Sequence, residues 1–114
     1  MASTVEKYFA RNRTAPVIIS ADVVDDFLYG RTLKIRIQGQ RNSENEDLGF
    51  AFGAAAAVAA KAATDFEHLW IEMDVRYKAV ETTIAVAPAQ CSIESIVHKT
   101  RSFGDWWETC LEFL

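Results

Sequence analysis

The longest apolar stretch of the chain runs from Leu48 to Ala60, and no polar side chain interrupts it. Alanine, the residue with the highest helix propensity, occurs in it more often than any other residue. Just before it, Ser43 and Glu46 have the S-x-x-E spacing of a capping box at a helix start. We therefore predict a helix from about residue 44 to 65, buried on most sides against a sheet because it lacks a polar face.

One row of this predicted helix carries only small side chains. Gly49, Gly53 and Ala57 follow one another at intervals of four residues, so a neighbouring backbone can approach closely. Two kinds of neighbour would fit: another part of the same core, or the same helix of a second copy in a homodimer. The apolar run is shorter than the roughly 20 residues that cross a bilayer, which argues against a membrane span.

Three segments alternate apolar and polar residues with the period of a half-buried strand. They are 31–38, 68–77 and 80–87. The first precedes the long helix and the second follows it, so the order predicts a βαβ unit whose helix covers the apolar face. The polar faces carry Lys34 and Arg36 on one strand and Glu72 and Asp74 on the other. If these strands are neighbours, their opposite charges meet.

The second and third strands are predicted to form an antiparallel hairpin. A two-residue turn at Lys78–Ala79 would place Tyr77 opposite Val80 and Arg76 opposite Glu81, an opposite-charge pair across the strands. Lys-Ala is poor chemistry for the two-residue turns of hairpins. A bulge or a longer loop is therefore the alternative.

Segment 17–30 fits two structures. In one, residues 17–19 form a short strand, and Ser20 then caps a helix that ends at Gly30 in the C′ position. In the other, the segment is a strand that pairs with 31–38. We favour the helix.

Three further helices are predicted. The first runs from about 4 to 12, and the second follows Pro88 to about His98. The third begins after Ser102, a good N-cap, and continues to the last residue as one wide apolar stripe that must dock on the central helix or on a partner. The stripe consists of Phe103, Trp106, Trp107, Cys110, Leu111 and Leu114.

Together these elements predict a single α+β domain over residues 1–114. It has two layers: a three- or four-stranded mixed sheet, packed against the long Ala-rich helix and the C-terminal helices. The length of 114 residues, half of them hydrophobic and a quarter charged, is ordinary for one globular domain.

The location of the protein is predicted from its first residues and its cysteines. The N-terminus shows no apolar leader segment, so we expect a cytoplasmic protein. Cys91 and Cys110 are its two cysteines, and in that compartment we expect both to be reduced.

No group of residues matches a catalytic or metal-binding motif. His68 and His98 lack the spacing of metal ligands, and Cys91 lacks a histidine signature that would make it a nucleophile. Glu72 and Asp74 have i,i+2 spacing that suits acid–base chemistry in a cleft, but we favour the simpler interpretation of alternating charge on a solvated strand. We therefore expect no enzyme, no cofactor and no metal.

We expect no nucleic-acid ligand, because of one missing feature and the net charge of the chain. Arg31, Lys34, Arg36 and Arg41 cluster around the strand predicted at 31–38, and the order β-α-β-β-α resembles that of RNA-recognition sheets. The strand at 80–87 lacks the aromatic residues on which such sheets stack bases. The net charge of −4 also disfavours a general polyanion binder.

Trp70 is the most informative residue outside the helices. Because apolar and polar residues alternate along this strand, Trp70 is predicted to point away from the core, among charged residues. Tryptophan is enriched at binding hot spots. A covering element, such as the N-terminal helix, would also explain it. We predict a non-catalytic protein-interaction or adaptor module, homodimeric and with an unknown protein partner. Its predicted interface residues are Trp70, Glu72, Trp106 and Trp107.

The alternative is a small-ligand-binding protein. The small residues of the central helix would then leave room for an aromatic pocket between the sheet and the helices. The predicted lining residues are Phe50, Phe52, Met73, Trp106 and Trp107.

Overall fold

The computed structural model describes residues 2–11, 15–62, 65–76 and 78–114. The strands are β1 (Val17–Asp26), β2 (Gly30–Gly39), β3 (His68–Arg76), β4 (Val80–Pro88) and β5 (Glu112–Phe113). The helices are α1 (Ala2–Ala10), α2 (Glu44–Lys61), α3 (Ala89–Ser92) and α4 (Phe103–Thr109). A 3₁₀ turn, Arg41–Ser43, leads into α2, and a π-helical turn, Ile93–Val97, continues α3.

The five strands form one mixed sheet in the order β1-β2-β3-β4-β5. β2 and β3 are parallel and are joined through α2, whereas the other neighbouring strands are antiparallel. α2 packs on β2 and β3, and α1 packs on β1 and α2. The α+β class is therefore confirmed, but the sheet has five strands instead of the predicted three or four.

The helix that we favoured for segment 17–30 is wrong, because β1 and a hairpin turn occupy it. Asp26 forms this turn: its Oδ1 accepts hydrogen bonds from the backbone N–H groups of Leu28 (2.8 Å) and Tyr29 (3.1 Å). Gly30 has a positive φ of 71°, the conformation that we had assigned to the end of a helix. The β-branched residues of this segment gain more by pairing with β2 than they would in a helix.

The β3–β4 hairpin is confirmed, but its predicted register is wrong by one residue. Arg76 faces Val80, so residues 77–79 form the connection, of which Tyr77 lies outside the described residues. The shift agrees with the poor turn chemistry of Lys-Ala. It turns Ala85 towards the helices and Ile84 towards the opposite face of the sheet.

The central helix is confirmed from Glu44 to Lys61, and the rest of the predicted range includes residues 63 and 64, which are not described. Its alanines are buried as expected. The predicted capping box does not form. Instead, Asp47 Oδ2 accepts a hydrogen bond from the Ser43 hydroxyl (2.9 Å) and another from the backbone N–H of Gln40 (2.9 Å).

The row of small residues on α2 faces the C-terminal part of the same chain. A methyl group built on Gly49 would lie 3.6 Å from Phe103, and one built on Gly53 would lie 3.6 Å from Ile96. Of the two neighbours that we considered, the structure therefore places the intramolecular one on this row.

The C-terminal helix is much shorter than predicted. Ser102 caps it as expected, because its hydroxyl oxygen accepts a hydrogen bond from the backbone N–H of Asp105 (3.1 Å). The helix ends at Thr109, and the chain then forms β5, in which Phe113 pairs with Ala85 of β4. The apolar stripe looked continuous because these residues serve two elements in succession.

A disulfide joins Cys91 of α3 to Cys110, which follows α4. Their Cα atoms are 6.5 Å apart although 19 positions separate them in the sequence. The prediction that both cysteines are reduced is therefore wrong, and a bridged Cys91 has no thiolate with which to act as a nucleophile.

Replacing Gly104 in α4 by alanine should raise the free energy of unfolding by about 0.5–1 kcal/mol, because alanine loses less backbone entropy in a helix. A methyl group at this position has no heavy atom within 4 Å. Gly30→Ala is the matched control and should destabilise the protein, since its φ is positive and the new methyl would overlap Glu67 Oε2. Urea unfolding measures both; a destabilised Gly104→Ala variant would contradict the prediction.

Candidate interaction surface

The face of the sheet that points away from the helices is called here the open face. α1, which we had considered as a cover for Trp70, lies on the other side. Its Phe9 is buried there, with the ring 5.0 Å from that of Phe50. The open face includes Ser20, Asp22, Lys34, Arg36, Trp70, Glu72 and Asp74.

Arg36 holds the centre of the open face together. Its Nη2 lies 2.8 Å from Asp74 Oδ2, and its Nε lies 3.4 Å from Glu72 Oε2. Asp74 Oδ1 also accepts a hydrogen bond from the Thr82 hydroxyl (2.9 Å). The predicted meeting of opposite charges on neighbouring strands is thus confirmed.

These contacts fix the charge of Asp74. Burial raises the pKa of its carboxyl group, but hydrogen bonds from Arg36 and Thr82, together with the charge of Arg36, outweigh burial and bring the pKa below its ordinary value of 3.8. A carboxylate with a lowered pKa is a weak base. This arrangement therefore fits a structural ion pair better than acid–base chemistry.

Trp70 is half-buried by its neighbours on the open face. Lys34 Nζ lies 4.1 Å from the centre of its ring, and the Tyr29 ring meets it edge-on at 5.9 Å. Tyr29 is itself held by His68, whose Nδ1 donates a hydrogen bond to the Tyr29 carbonyl oxygen (2.7 Å). The β1–β2 hairpin thus covers part of the surface around Trp70 that we had predicted to bind a partner.

Asp26 should make the stability of the protein sensitive to acid. Backbone hydrogen bonds from Leu28 and Tyr29, followed by the contact with Lys34 (3.1 Å), lower the pKa of its carboxyl group below 3.8. A carboxyl group whose pKa is lower in the folded state stabilises the fold above its unfolded pKa and loses that contribution as the pH falls through the folded value. Denaturant unfolding at several pH values should show a smaller acid loss for Asp26→Asn than for the wild type. An equal loss in both would contradict this assignment.

The outer edge of the sheet carries the most exposed apolar side chains. β1 is the edge strand, and no other described strand pairs with its outer side. The name β1 edge is used here for five residues, with exposed fractions of 63% for Val17, 51% for Ile19, 37% for Val23, 100% for Phe27 and 78% for Leu28. The last two form the tip of the β1–β2 hairpin. A long, apolar, unpaired edge is a ready site for another strand.

A crevice of about 690 Å³ opens beside the start of β1, between the end of β2 and the start of α2. One wall is apolar and the other is polar. Asp47, which is 6% exposed, holds the polar wall through its hydrogen bonds to Gln40 and Ser43. The lining residues are Ala15, Pro16, Val17, Gln38, Gly39, Gln40, Ser43, Glu46, Asp47 and Phe50.

The four predicted interface residues do not form one surface. Trp70 and Glu72 lie on the open face, whereas Trp106 and Trp107 lie in the helical layer. Trp106 has no accessible surface, and its Nε1 donates a hydrogen bond to Ser92 Oγ (2.9 Å). Trp106 therefore belongs to the core.

The residues predicted to line a pocket are also mostly in the core. Phe52 and Trp106 have no accessible surface, and Met73 is 1% exposed. Since even a water-sized space would expose the side chains around it, these residues do not line the predicted pocket. Phe50 instead lines the crevice at the start of β1.

The β1 edge and its hairpin tip were missed at the sequence level. The signal was present in the run DDFLYG, in which an aspartate that can close a turn precedes a glycine suited to positive φ. Our preference for a helix over 17–30 hid it.

No group of three or more His, Cys, Asp or Glu side chains in the described ranges could hold a metal ion. None of the helices described is long and apolar enough to span a membrane. No protein-family model matches the chain, and no curated protein or solved structure is significantly similar to it.

Proposed function

We propose that this chain is a non-catalytic protein-interaction module that forms homodimers through the β1 edge. The observation that supports this function is the ten-residue edge strand with exposed apolar side chains, continued by a hairpin tip whose Phe27 is fully exposed. β1 does carry three aspartates and a bulge, which are two of the features that protect an edge strand from pairing. The support for the proposal is therefore the apolar side chains that stay exposed beside them.

Strand addition is the form of contact that this edge favours. Unpaired backbone groups along β1 can supply hydrogen bonds to a further strand, while Val17 and Val23 supply apolar contact. The open face contributes less, because Arg36, Asp74 and Glu72 already pair with one another. The proposed interface therefore moves from Trp70 on β3 to β1, at the edge of the sheet.

Sedimentation equilibrium of the wild type and two lysine variants tests this function. The wild type is expected to be a dimer, and Ile19→Lys is expected to be a monomer, because a lysine on an edge strand opposes pairing. Its melting temperature should equal that of wild-type protein diluted until it is monomeric, since the dimer itself adds stability by mass action. Leu114→Lys is the control, since Leu114 is 56% exposed and follows β5, at the opposite edge of the sheet from β1. A wild type that stays monomeric, or an Ile19→Lys variant that still dimerises, would overturn the proposal.

The crevice supports a second candidate, the binding of a small ligand. Its volume of about 690 Å³ falls within the range of ligand sites, and it combines an apolar wall with a few polar groups. Native mass spectrometry of protein purified from its own host would show a small adduct on the chain. A chain without added mass would remove this candidate.

The disulfide changes the proposed location. Bridges such as Cys91–Cys110 persist in oxidising compartments and are rare in the cytosol. We therefore propose an oxidising compartment in place of the cytoplasm that the sequence led us to expect. Counting free thiols in protein taken directly from its host would test this.

A further inference from the structure

We infer that two copies of this chain pair their β1 strands antiparallel about a two-fold axis at Ala21, and that each hairpin tip enters the other copy's crevice. This inference rests on the proposed function and gives it a register. It connects three features that are separate in one chain: the unpaired edge, the fully exposed Phe27 and the crevice at the start of β1.

The register follows from the faces of β1. Pairing about Ala21 places Ser20 opposite Asp22 of the second copy, and both residues lie on the open face, since they pair with Arg36 and Lys34 of β2. A serine hydroxyl can donate a hydrogen bond to an aspartate in this position, and the two-fold axis repeats the contact.

The irregularity in β1 keeps the remaining side chains on matching faces. β1 has a bulge between Ile18 and Ser20, where one residue is unpaired with β2. If two residues face one across the new interface as well, Ile18 faces Val23 and Val17 faces Val24 of the second copy. Each of these pairs joins two apolar side chains on the same face.

Charge along the paired strands is compatible with this register, and at the tip Lys34 offsets the charge of Asp26, which approaches a crevice lined by Glu46 and Asp47. β1 carries three aspartates, and like charges directly opposite one another would destabilise the pairing. About Ala21, none of the three faces another: Asp22 faces Ser20, Asp25 faces Pro16 and Asp26 faces Ala15. Pairing centred on Asp22 would instead bring two carboxylates together across the axis.

The hairpin tip then reaches the crevice. Because Asp26 of one copy faces Ala15 of the other, Phe27 comes one residue beyond it, where Ala15, Pro16 and Phe50 line the crevice. Phe27 is 100% exposed in the single chain, so packing within the described residues does not explain a large aromatic side chain there. Binding hot spots usually contain a large side chain, often an aromatic one, that fills a pocket of the partner.

Cross-linking tests the register directly. In Ala21→Cys the new thiol is the only one outside the Cys91–Cys110 bridge, and across the axis the two Cα atoms would be within the range that a disulfide requires. Mild oxidation should give a covalent dimer. Asp25→Cys is the control for distance, because its two copies would be about 26 Å apart at 3.3 Å per residue. Its side chain is exposed, whereas Ala21 is 8% exposed, so a cross-link at position 21 alone cannot result from easier access to the oxidant.

Phe27→Ser tests the tip independently of any change within the strand. The dimer should dissociate roughly a hundredfold more readily, with no change in the melting temperature of the monomer, because Phe27 makes no contact that stabilises the single chain. Val80→Ser serves as the control for loss of an exposed apolar side chain.

The outcomes separate this inference from the proposed function. A wild-type dimer that Ile19→Lys dissociates, but that gives no Ala21→Cys cross-link and is unaffected by Phe27→Ser, would overturn the register and leave the function in place. A dimer unaffected by Ile19→Lys would overturn both. A monomer that binds a peptide of alternating lysine and valine at β1 would assign the edge to a basic partner strand and overturn self-pairing.

Discussion

Trp106→Ala is expected to lower the free energy of unfolding by about 3–5 kcal/mol, the usual cost of removing a fully buried tryptophan. The Trp106 ring has no accessible surface and packs edge-on against Phe52 at 5.1 Å. The substitution also removes the hydrogen bond from its Nε1 to Ser92 Oγ, so a buried hydroxyl loses its donor. Both losses act on the core of a single chain.

For this variant, urea unfolding measures the loss of stability, and sedimentation equilibrium measures whether the dimer dissociates. Trp107→Ala is the control, because Trp107 is only partly buried and should cost less. If Trp106 acted at an interface, as the sequence led us to predict, Trp106→Ala would dissociate the dimer with little loss of stability. That result would contradict its assignment to the core.

Removal of the disulfide should cost about 3 kcal/mol. Cys91 and Cys110 close a loop across 19 positions, and a bridge of this span restricts the unfolded chain by about that amount. The double variant Cys91→Ser with Cys110→Ser should therefore unfold at clearly lower urea concentration than the oxidised wild type.

The loss should be concentrated in the C-terminal part of the chain. β5 pairs with β4 at only two positions, and the backbone N–H of Leu114 adds one bond to the Ile84 carbonyl oxygen (2.9 Å). Hydrogen exchange should therefore rise most in β5. A reductant should destabilise the wild type and leave the double variant unchanged; equal stability of the two proteins under oxidising conditions would contradict the prediction.

The parts of the fold that depend on local sequence could be predicted. The alanines of α2, the alternation in β2 and the capping position of Ser102 each act within a few residues of the chain. For that reason α2, β2 and the start of α4 were found close to their observed positions.

The parts of the fold that depend on distant residues could not be predicted from the sequence. Whether 17–26 is a helix or a strand is decided by pairing with β2, and the last residues become β5 because the free edge of β4 lies beside them. Likewise, nothing near Cys91 in the sequence shows that the end of α4 returns to it.

The candidate surface was predictable only in part. Alternation alone put Trp70 on the open face, which is correct. Trp106 and Trp107 are adjacent in one apolar stripe, and only packing shows that the first is buried and the second partly exposed. The β1 edge could not be recognised before the segment was known to be a strand.

The single parallel pair in the sheet has a consequence for folding. β1 with β2, and β3 with β4, are hairpins whose strands find each other over a few residues. β2 and β3 meet only after the chain from Gly39 to His68 has closed through α2, and closing a longer loop costs more entropy. We therefore expect two early hairpins and one later joining step, with α2 as the element that brings them together.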